Sequence, residues 1–206
     1  MLERSSQRAS LARRNQMSTS TALMTAEEFS LLPDEPGIRH ELLNGEVIRM
    51  PQPGFPHGRI TVRLLVPLGQ FVLDHELGEV LSESGWKLTS NPDTVLGPDI
   101  SFITKQRLEE GPPDIQGYWD GPPDLAVEVL SPSDRPGIVK ARILSLFECG
   151  VKQLWIVNPK HCTVTVYRSA SDSITFSGSD ELEADDILPG FRISLDRVFG
   201  PTPGTK

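Results

Sequence analysis

Residues 121–135 read GPPDLAVEVLSPSDR, and the segment LAVEVL within them has the short, mostly apolar, alternating pattern of a buried β-strand. Because successive strand side chains point to opposite faces, Glu128 shares a face with Ala126 and Leu130. An ionised carboxylate among apolar neighbours costs several kcal/mol unless it is paired, hydrogen-bonded or bound to a metal. The sequence therefore predicts a partner charge or a cation beside Glu128.

A second acid has a matching setting. In LGPDISFI, residues 96–103, Asp99 leads directly into apolar strand residues. If this strand lies beside the strand of Glu128, the two carboxylates converge at one end of a sheet. Two hard oxygen donors of this kind suit Mg²⁺, which keeps water and substrate phosphate in the rest of its shell.

A lysine interrupts the next apolar pattern. Residues 138–149 are predicted to form a helix that Gly150 ends. Lys140 shares a helical stripe with three apolar residues, Ile143, Leu144 and Phe147, while Arg142 is expected on the outward side. The ammonium of Lys140 therefore needs a partner, and Glu128 is the nearest candidate along the chain.

Each of these residues also has a structural interpretation. A lone glutamate in a strand is more often an edge or solvent-side residue than a ligand, and Lys140 could lay its stem over the core with its head in water. The coincidence of Asp99, Glu128 and Lys140, each breaking an apolar pattern next to the others, favours a shared site.

The remaining pattern indicates one mixed domain. The chain has 206 residues, of which 37% are hydrophobic, and this length suits a single core. Helices and strands alternate along residues 24–206, which predicts an α/β or α+β fold with a mixed sheet flanked by helices. Residues 1–23 are rich in Ser, Thr and Arg and are interpreted as a disordered arm. A transit-like segment, or sequence upstream of a start at Met17, are the alternatives.

Local signals place several elements. Thr25 and Glu28 form a capping box that predicts a short helix, and Asn44-Gly45 predicts a hairpin turn. Residues 57–77 have helical spacing, in which Pro67 predicts a kink or a break. Strands are expected at 79–88, 96–103, 152–159 and 163–168.

Charge and cysteine content limit the location and the partners. The formal charge of −8 gives no overall attraction to nucleic acid or to anionic membranes. Cys149 and Cys162 have no metal-ligand spacing, so two reduced thiols in a cytoplasmic protein are expected, with a single disulfide as the alternative. There is no apolar run of the roughly 18 residues that a membrane span needs.

Several segments, in this order along the chain, resemble one known family. They are RHELLNGEVIRM, a histidine opening a helix at position 57, GPDISFI, PPDLAVEVLSPSD, a lysine at 140, GVKQLWIVNP and LPGF. Together they look like the Uma-two family of restriction endonucleases, within the PD-(D/E)XK nuclease superfamily. The resemblance runs from about residue 24 to residue 199, and no single segment carries it.

The resemblance implies a restriction-endonuclease-like core and a set of site residues. Asp99 and Glu128 would be ligands of Mg²⁺, for which Mn²⁺ could substitute, and Lys140 would supply the amine from the following helix. The superfamily usually has that lysine two residues after the second acid, where this chain has Leu130. Glu41 and His57 match secondary members of the site. The family's common helix tyrosine is Phe147 here.

The implied activity is Mg²⁺-dependent hydrolysis of phosphodiester bonds in DNA. Because the chain is acidic, DNA binding is expected to be weak and dependent on the metal and on low salt, with Arg59, Arg63, Lys105 and Arg107 as the available basic residues. Homodimers are common among relatives of this fold. Two rival functions are a catalytically silent binding or structural protein, and a glycosidase that uses the two acids and works in EDTA.

Overall fold

The computed structural model describes residues 23–111, 117–132 and 134–200. The N-terminal arm predicted at 1–23 lies, except for its last residue, outside these ranges. The five helices of the described chain are α1 Ala26–Ser30, α2 Phe55–Asp74, α3 Lys105–Glu110, α4 Pro136–Glu148 and α5 Leu195–Phe199. None of these helices combines the length and apolar character that a membrane span requires.

The strands of the first half are β1 Ile38–Leu43, β2 Glu46–Pro51, β3 Gly78–Ser82, β4 Trp86–Thr89, β5 Thr94–Leu96 and β6 Ile100–Thr104. Those of the second half are β7 Trp119–Asp120, β8 Leu125–Val129, β9 Gln153–Asn158, β10 Thr163–Tyr167, β11 Ser173–Ser177, β12 Glu181–Glu183 and β13 Arg192–Ser194. They form three sheets within the described ranges, with the orders β2-β1-β5-β4-β7, β11-β10-β9-β8-β6-β3 and β12-β13. Both larger sheets are mixed, because β4 and β7 pair in parallel, as do β8 and β9, while their other pairs are antiparallel. The predicted mixed α and β architecture is therefore confirmed.

The predicted local signals are present. Thr25 and Glu28 complete the capping box of α1. Asn44 and Gly45 both have positive φ, of 51° and 77°, which is the conformation that the tight turn between β1 and β2 requires. Cys149 and Cys162 are both free thiols.

One element prediction was wrong, and one of the two alternatives predicted at Pro67 is excluded. Residues 79–88 are not one strand: the chain turns at Glu83, whose φ is +51°, and β3 and β4 then join different sheets. Of the kink or break predicted at Pro67, the break does not occur, because Pro67 lies inside a continuous helix of 20 residues. Burial of Leu64 and Leu68 on either side of the proline supplies the packing that offsets the lost hydrogen bond.

The six-stranded sheet is covered on both faces. On one face, Leu125, Val127 and Val129 of β8 pack in the same cluster as the buried apolar residues of α2, which are Ile60, Leu64, Leu68 and Val72. On the other face, Ala126 packs in the same cluster as Ile143 and Leu146 of α4. The alternation predicted for LAVEVL is confirmed, and Glu128 extends from the α4 side of a central strand.

Candidate functional site

The structure brings Asp99 and Glu128 together. Strands β6 and β8 are antiparallel neighbours with Ile100 opposite Val127, so that Asp99, one residue before β6, lies across from Glu128. Both side chains line one cleft of about 190 Å³. The convergence that the two apolar patterns suggested is a consequence of this register.

Asp99 is buried, with 3% of its surface exposed, and its carboxylate accepts hydrogen bonds from three donors. Its Oδ2 accepts a hydrogen bond from the backbone N–H of Val129 at 2.7 Å and lies 3.1 Å from Nε2 of His57. Its Oδ1 accepts from the guanidinium of Arg39 at 3.2 Å. Burial alone raises the pKa of Asp99, but the bonds from His57 and Val129 outweigh it and hold the pKa below its ordinary value. Asp99 is therefore ionised at neutral pH.

His57 lies in the first turn of α2 and is also buried. Burial lowers the pKa of a histidine, but the bond to Asp99 and its charge outweigh burial, and the pKa of His57 is raised. Because ionised Asp99 can only accept, Nε2 of His57 carries a proton and donates a hydrogen bond to Asp99. The helix positions this ring through its apolar face, since Ile60 and Leu64 follow on the same side in the core.

Glu41 reaches the site from the five-stranded sheet, through Arg142. The two terminal nitrogens of Arg142 donate to the two carboxylate oxygens of Glu41 at 2.6 and 2.8 Å, and its Nε donates to Oε1 of Glu128 at 2.8 Å. The backbone N–H of Gly97 donates to Glu41 as well, at 3.0 Å. One guanidinium thus joins two acids in the two-pronged geometry that arginine favours.

The expectation that Arg142 points outward was wrong. The core side of α4 carries Val139, Ile143 and Leu146. Arg142 lies one helical turn from Val139 and one from Leu146, so it shares this side. The predicted apolar stripe included Leu144, but this residue is 40% exposed. Leu146, which has no exposed surface, lies on the core side instead.

Lys140 does not pair with Glu128. Its side chain is exposed, and in the part of the chain that the structure describes it forms no ion pair, so the expected pairing with Glu128 was wrong. Lys140 lines a larger groove of about 900 Å³ beside the site, which shares His57 and Val139 with the smaller cleft. Lys140 and Arg142 are two residues apart, about 200° around the helix, so Lys140 lies on the opposite side of α4 when Arg142 faces Glu128.

The four basic residues expected to contact DNA have internal partners. Arg59 and Arg63 donate to the backbone carbonyls of Phe199 and Val198 at the end of α5. Lys105 pairs with Glu76 at 3.2 Å, and Arg107 pairs with the buried Asp124 at 3.3 Å. Arg59 and Arg63 lie on α2, Lys105 and Arg107 lie on α3, and none of the four lines the cleft of Asp99 and Glu128. Arg39, which sequence analysis missed, is the basic residue that reaches Asp99.

Among the acids of the site, Glu128 has the most strongly shifted pKa. Burial raises its pKa to about 7, an effect that the charges of Asp99 and Glu41 increase and that Arg142 partly offsets. For Arg142, burial lowers the pKa, but the charges and hydrogen bonds of Glu128 and Glu41 outweigh it, and its pKa is raised. Arg142 therefore stays charged, while Glu128 titrates near neutral pH.

This shift predicts a pH-dependent stability. A carboxyl group with a higher pKa in the folded protein contributes stability that is fully present below its unfolded value, near 4.5, and that is lost as the pH rises through about 7. Without divalent cations, the free energy of unfolding of the wild type should therefore fall, relative to Glu128→Gln, across that interval. Urea unfolding of both proteins at a series of pH values measures the difference. A difference that does not change with pH would contradict the shift.

The carboxylates of Asp99 and Glu128 are oxygen donors of the type that Mg²⁺ prefers. Asp99 and Glu128 are hard carboxylate donors on one cleft, and Oε2 of Glu128 accepts no hydrogen bond from the described residues. Within the same residues, no group of three or more Asp, Glu, His or Cys side chains is arranged to hold an ion. The arrangement therefore fits an ion that takes two carboxylates and completes its shell with water and substrate, which is usual for Mg²⁺. Glu41 is held by Arg142.

Comparisons with known proteins identify the family. Residues 26–196 match the model of the Uma2 family, which is described as "Putative restriction endonuclease". A search of curated proteins found no match. Among solved structures, a chain from Anabaena variabilis, described as a putative nuclease belonging to DUF820, is similar at 23% identity and a TM-score of 0.73. The similarity covers 85% of this chain and 97% of that one. At this identity, the structural similarity concerns the fold. Because the family model covers most of the chain, this protein belongs to the Uma2 family.

Proposed function

We propose that this protein is a metal-dependent endodeoxyribonuclease, and that Asp99, Glu128 and Arg142 carry the reaction. The observation that carries the proposal is the pair of carboxylates from adjacent strands on one cleft, with a guanidinium held against the second. Family membership adds the reaction class, because the family is described in terms of restriction endonucleases.

Asp99 and Glu128 would hold Mg²⁺, or Mn²⁺ in its place. When bound there, the ion would supply Lewis acidity toward a phosphate and lower the pKa of a water. The protein's own part is to keep Asp99 ionised, which the hydrogen bonds from His57 and from the backbone of Val129 do. Glu128 lines the same cleft, and its Oε2 has no hydrogen-bond donor among the described residues.

Arg142 takes the role first expected of Lys140. Its guanidinium is fixed by Glu41 and stays charged beside Glu128, where it can stabilise negative charge that develops on a phosphate. Glu41 is then a positioning residue, because it acts through Arg142. Lys140, exposed on the neighbouring groove, is proposed to contact a flanking phosphate as a mobile point charge.

A catalytically silent DNA-binding or structural protein is the second candidate. It is favoured by the charge balance of the site, in which Glu41, Asp99 and Glu128 face Arg39, Arg142 and His57. Three acids and three basic groups can satisfy one another without an ion. Under this alternative the site is a structural ion network on a nuclease fold.

Cleavage assays on the full chain separate these functions. Single-stranded, duplex and branched DNA are incubated at low salt with Mg²⁺, with Mn²⁺ and with EDTA. We expect internal cuts with either ion, none in EDTA, and weaker activity as salt rises, because salt weakens the contacts between cationic groups and phosphates. Absence of cutting on every substrate supports the silent protein, and hydrolysis of a glycoside in EDTA would support the glycosidase.

A further inference from the structure

Helix α2 carries a second apolar face that the described chain leaves uncovered. Phe55, Val62, Val66 and Leu73 are 83%, 55%, 62% and 63% exposed. At about 100° per residue, the four positions lie within about 40° of one another around the helix. They form a single stripe about 27 Å long.

The stripe lies opposite the side by which α2 joins the core, where Leu64 and Leu68 have no exposed surface. A helix that is apolar on both sides is usually covered on both sides. Single exposed apolar residues are common on proteins, but an aligned set along a whole helix is a feature of interaction surfaces.

The stripe is self-complementary about its own centre. Val62 and Val66 lie two residues on either side of position 64, and Phe55 and Leu73 lie nine residues on either side of it. If a second copy of α2 packs antiparallel with its centre at the same position, each valine meets a valine and each phenylalanine meets a leucine. This is the requirement for an interface in which both copies use the same surface.

Gly69 supports a close approach along the stripe. A Cβ added there would meet no atom within 4 Å, so the fold of the single chain does not require a glycine. A glycine inside a helix costs about 1 kcal/mol relative to alanine. In the antiparallel pairing, Gly69 lies opposite Arg59 of the second copy, where a small residue leaves room for the longer one.

The charges beside the stripe favour the same direction. Arg59 and Arg63 lie in the N-terminal half of α2, and Asp74 ends the helix. Antiparallel packing brings the basic half of each copy toward the acidic end of the other, whereas parallel packing would put like charges side by side.

We propose that α2 is a homodimer interface, in which two copies of this chain pack antiparallel through Phe55, Val62, Val66 and Leu73. The segment at residues 1–22 is a poorer occupant, because it is rich in Ser, Thr and Arg and has no matching apolar repeat. The pairing is independent of catalysis. It sets the two copies of His57, near the helix starts, at opposite ends of the interface.

Sedimentation equilibrium on the full chain tests the dimer. The wild type should have twice the 22.7 kDa mass of the chain at micromolar concentration, and the double variant Val62→Glu, Val66→Glu should be monomeric, because four carboxylates would meet at the centre. Leu31→Glu, at a residue 78% exposed on another surface, is the control and should remain dimeric. Unchanged circular dichroism verifies that the variants are folded.

The direction of packing is tested with spin labels. A label at Leu73→Cys, with Cys149 and Cys162 replaced by alanine, should give a pair separation of about 27 Å or more in an antiparallel dimer and about 10 Å in a parallel one. A monomeric wild type, a dimer that survives the double variant, or the short separation would each overturn the proposal. If removing residues 1–22 converts a monomer into a dimer, the arm covers the stripe in the full chain, and the proposal is likewise overturned.

Discussion

Replacement of Asp99 by asparagine is expected to lower the rate of DNA cleavage by about 10³-fold or more. Asparagine keeps the size of the side chain but removes the charge that would hold a cation, and each tenfold loss corresponds to about 1.4 kcal/mol of transition-state stabilisation. Single-turnover cleavage with Mg²⁺ measures the rate. Calorimetric titration with Mg²⁺ or Mn²⁺, without DNA, should show that the variant has lost most of its affinity for the ion.

Glu83→Gln is the matched control for Asp99→Asn. Glu83 contacts the same Arg39, at 3.7 Å, but its side chain is 54% exposed and lies outside the cleft. The DNA cleavage rate of Glu83→Gln should stay within about threefold of the wild type, because an exposed ion pair contributes less than about 1 kcal/mol. Retention of cleavage by Asp99→Asn to within tenfold would contradict the assigned role.

Replacement of Arg142 by methionine is expected to lower the free energy of unfolding by about 3 kcal/mol at pH 8. Methionine can fill the volume of the stem, but it leaves the carboxylates of Glu41 and Glu128 without their common partner in a largely buried site. Urea unfolding measures the change. Below about pH 5 the loss should shrink, because Glu128, whose pKa is raised to about 7, is then protonated and no longer needs the guanidinium.

Lys140→Met is the control for this change. It removes a positive charge two residues away on the same helix, but from an exposed side chain, so a change within about 0.5 kcal/mol is expected. Arg142→Lys should recover only part of the loss, because one ammonium cannot bind both oxygens of Glu41 and also reach Glu128. Equal losses for Arg142→Met and Lys140→Met would contradict the ion network.

The pairing of Asp99 with Glu128 could be predicted because both signals are local. Each acid interrupts an apolar strand pattern, and β6 and β8 follow each other closely enough along the chain to be neighbours. The hairpin at Asn44-Gly45 was predictable for the same reason, since positive φ at two successive residues has few sequence solutions.

The rest of the site depends on contacts that leave no local signal. Glu41 and Arg142 are 101 residues apart, and Arg39 and Asp99 are 60 apart. Arg142 and Lys140 lie on nearly opposite sides of α4, and an apolar pattern with an exposed leucine cannot resolve which side faces the acids. The division of residues 79–88 between two sheets likewise depends on which distant strands are available as neighbours.

The ion network also joins the two large sheets. Glu41 belongs to β1 of the five-stranded sheet, Glu128 belongs to β8 of the six-stranded sheet, and Arg142 bonds to both. Any fluctuation that separates the sheets must break these bonds, so amide hydrogens of β1 and β8 should exchange with solvent in a correlated way. A ligand that favours the closed network will therefore slow exchange in both sheets, including in strands that it does not touch.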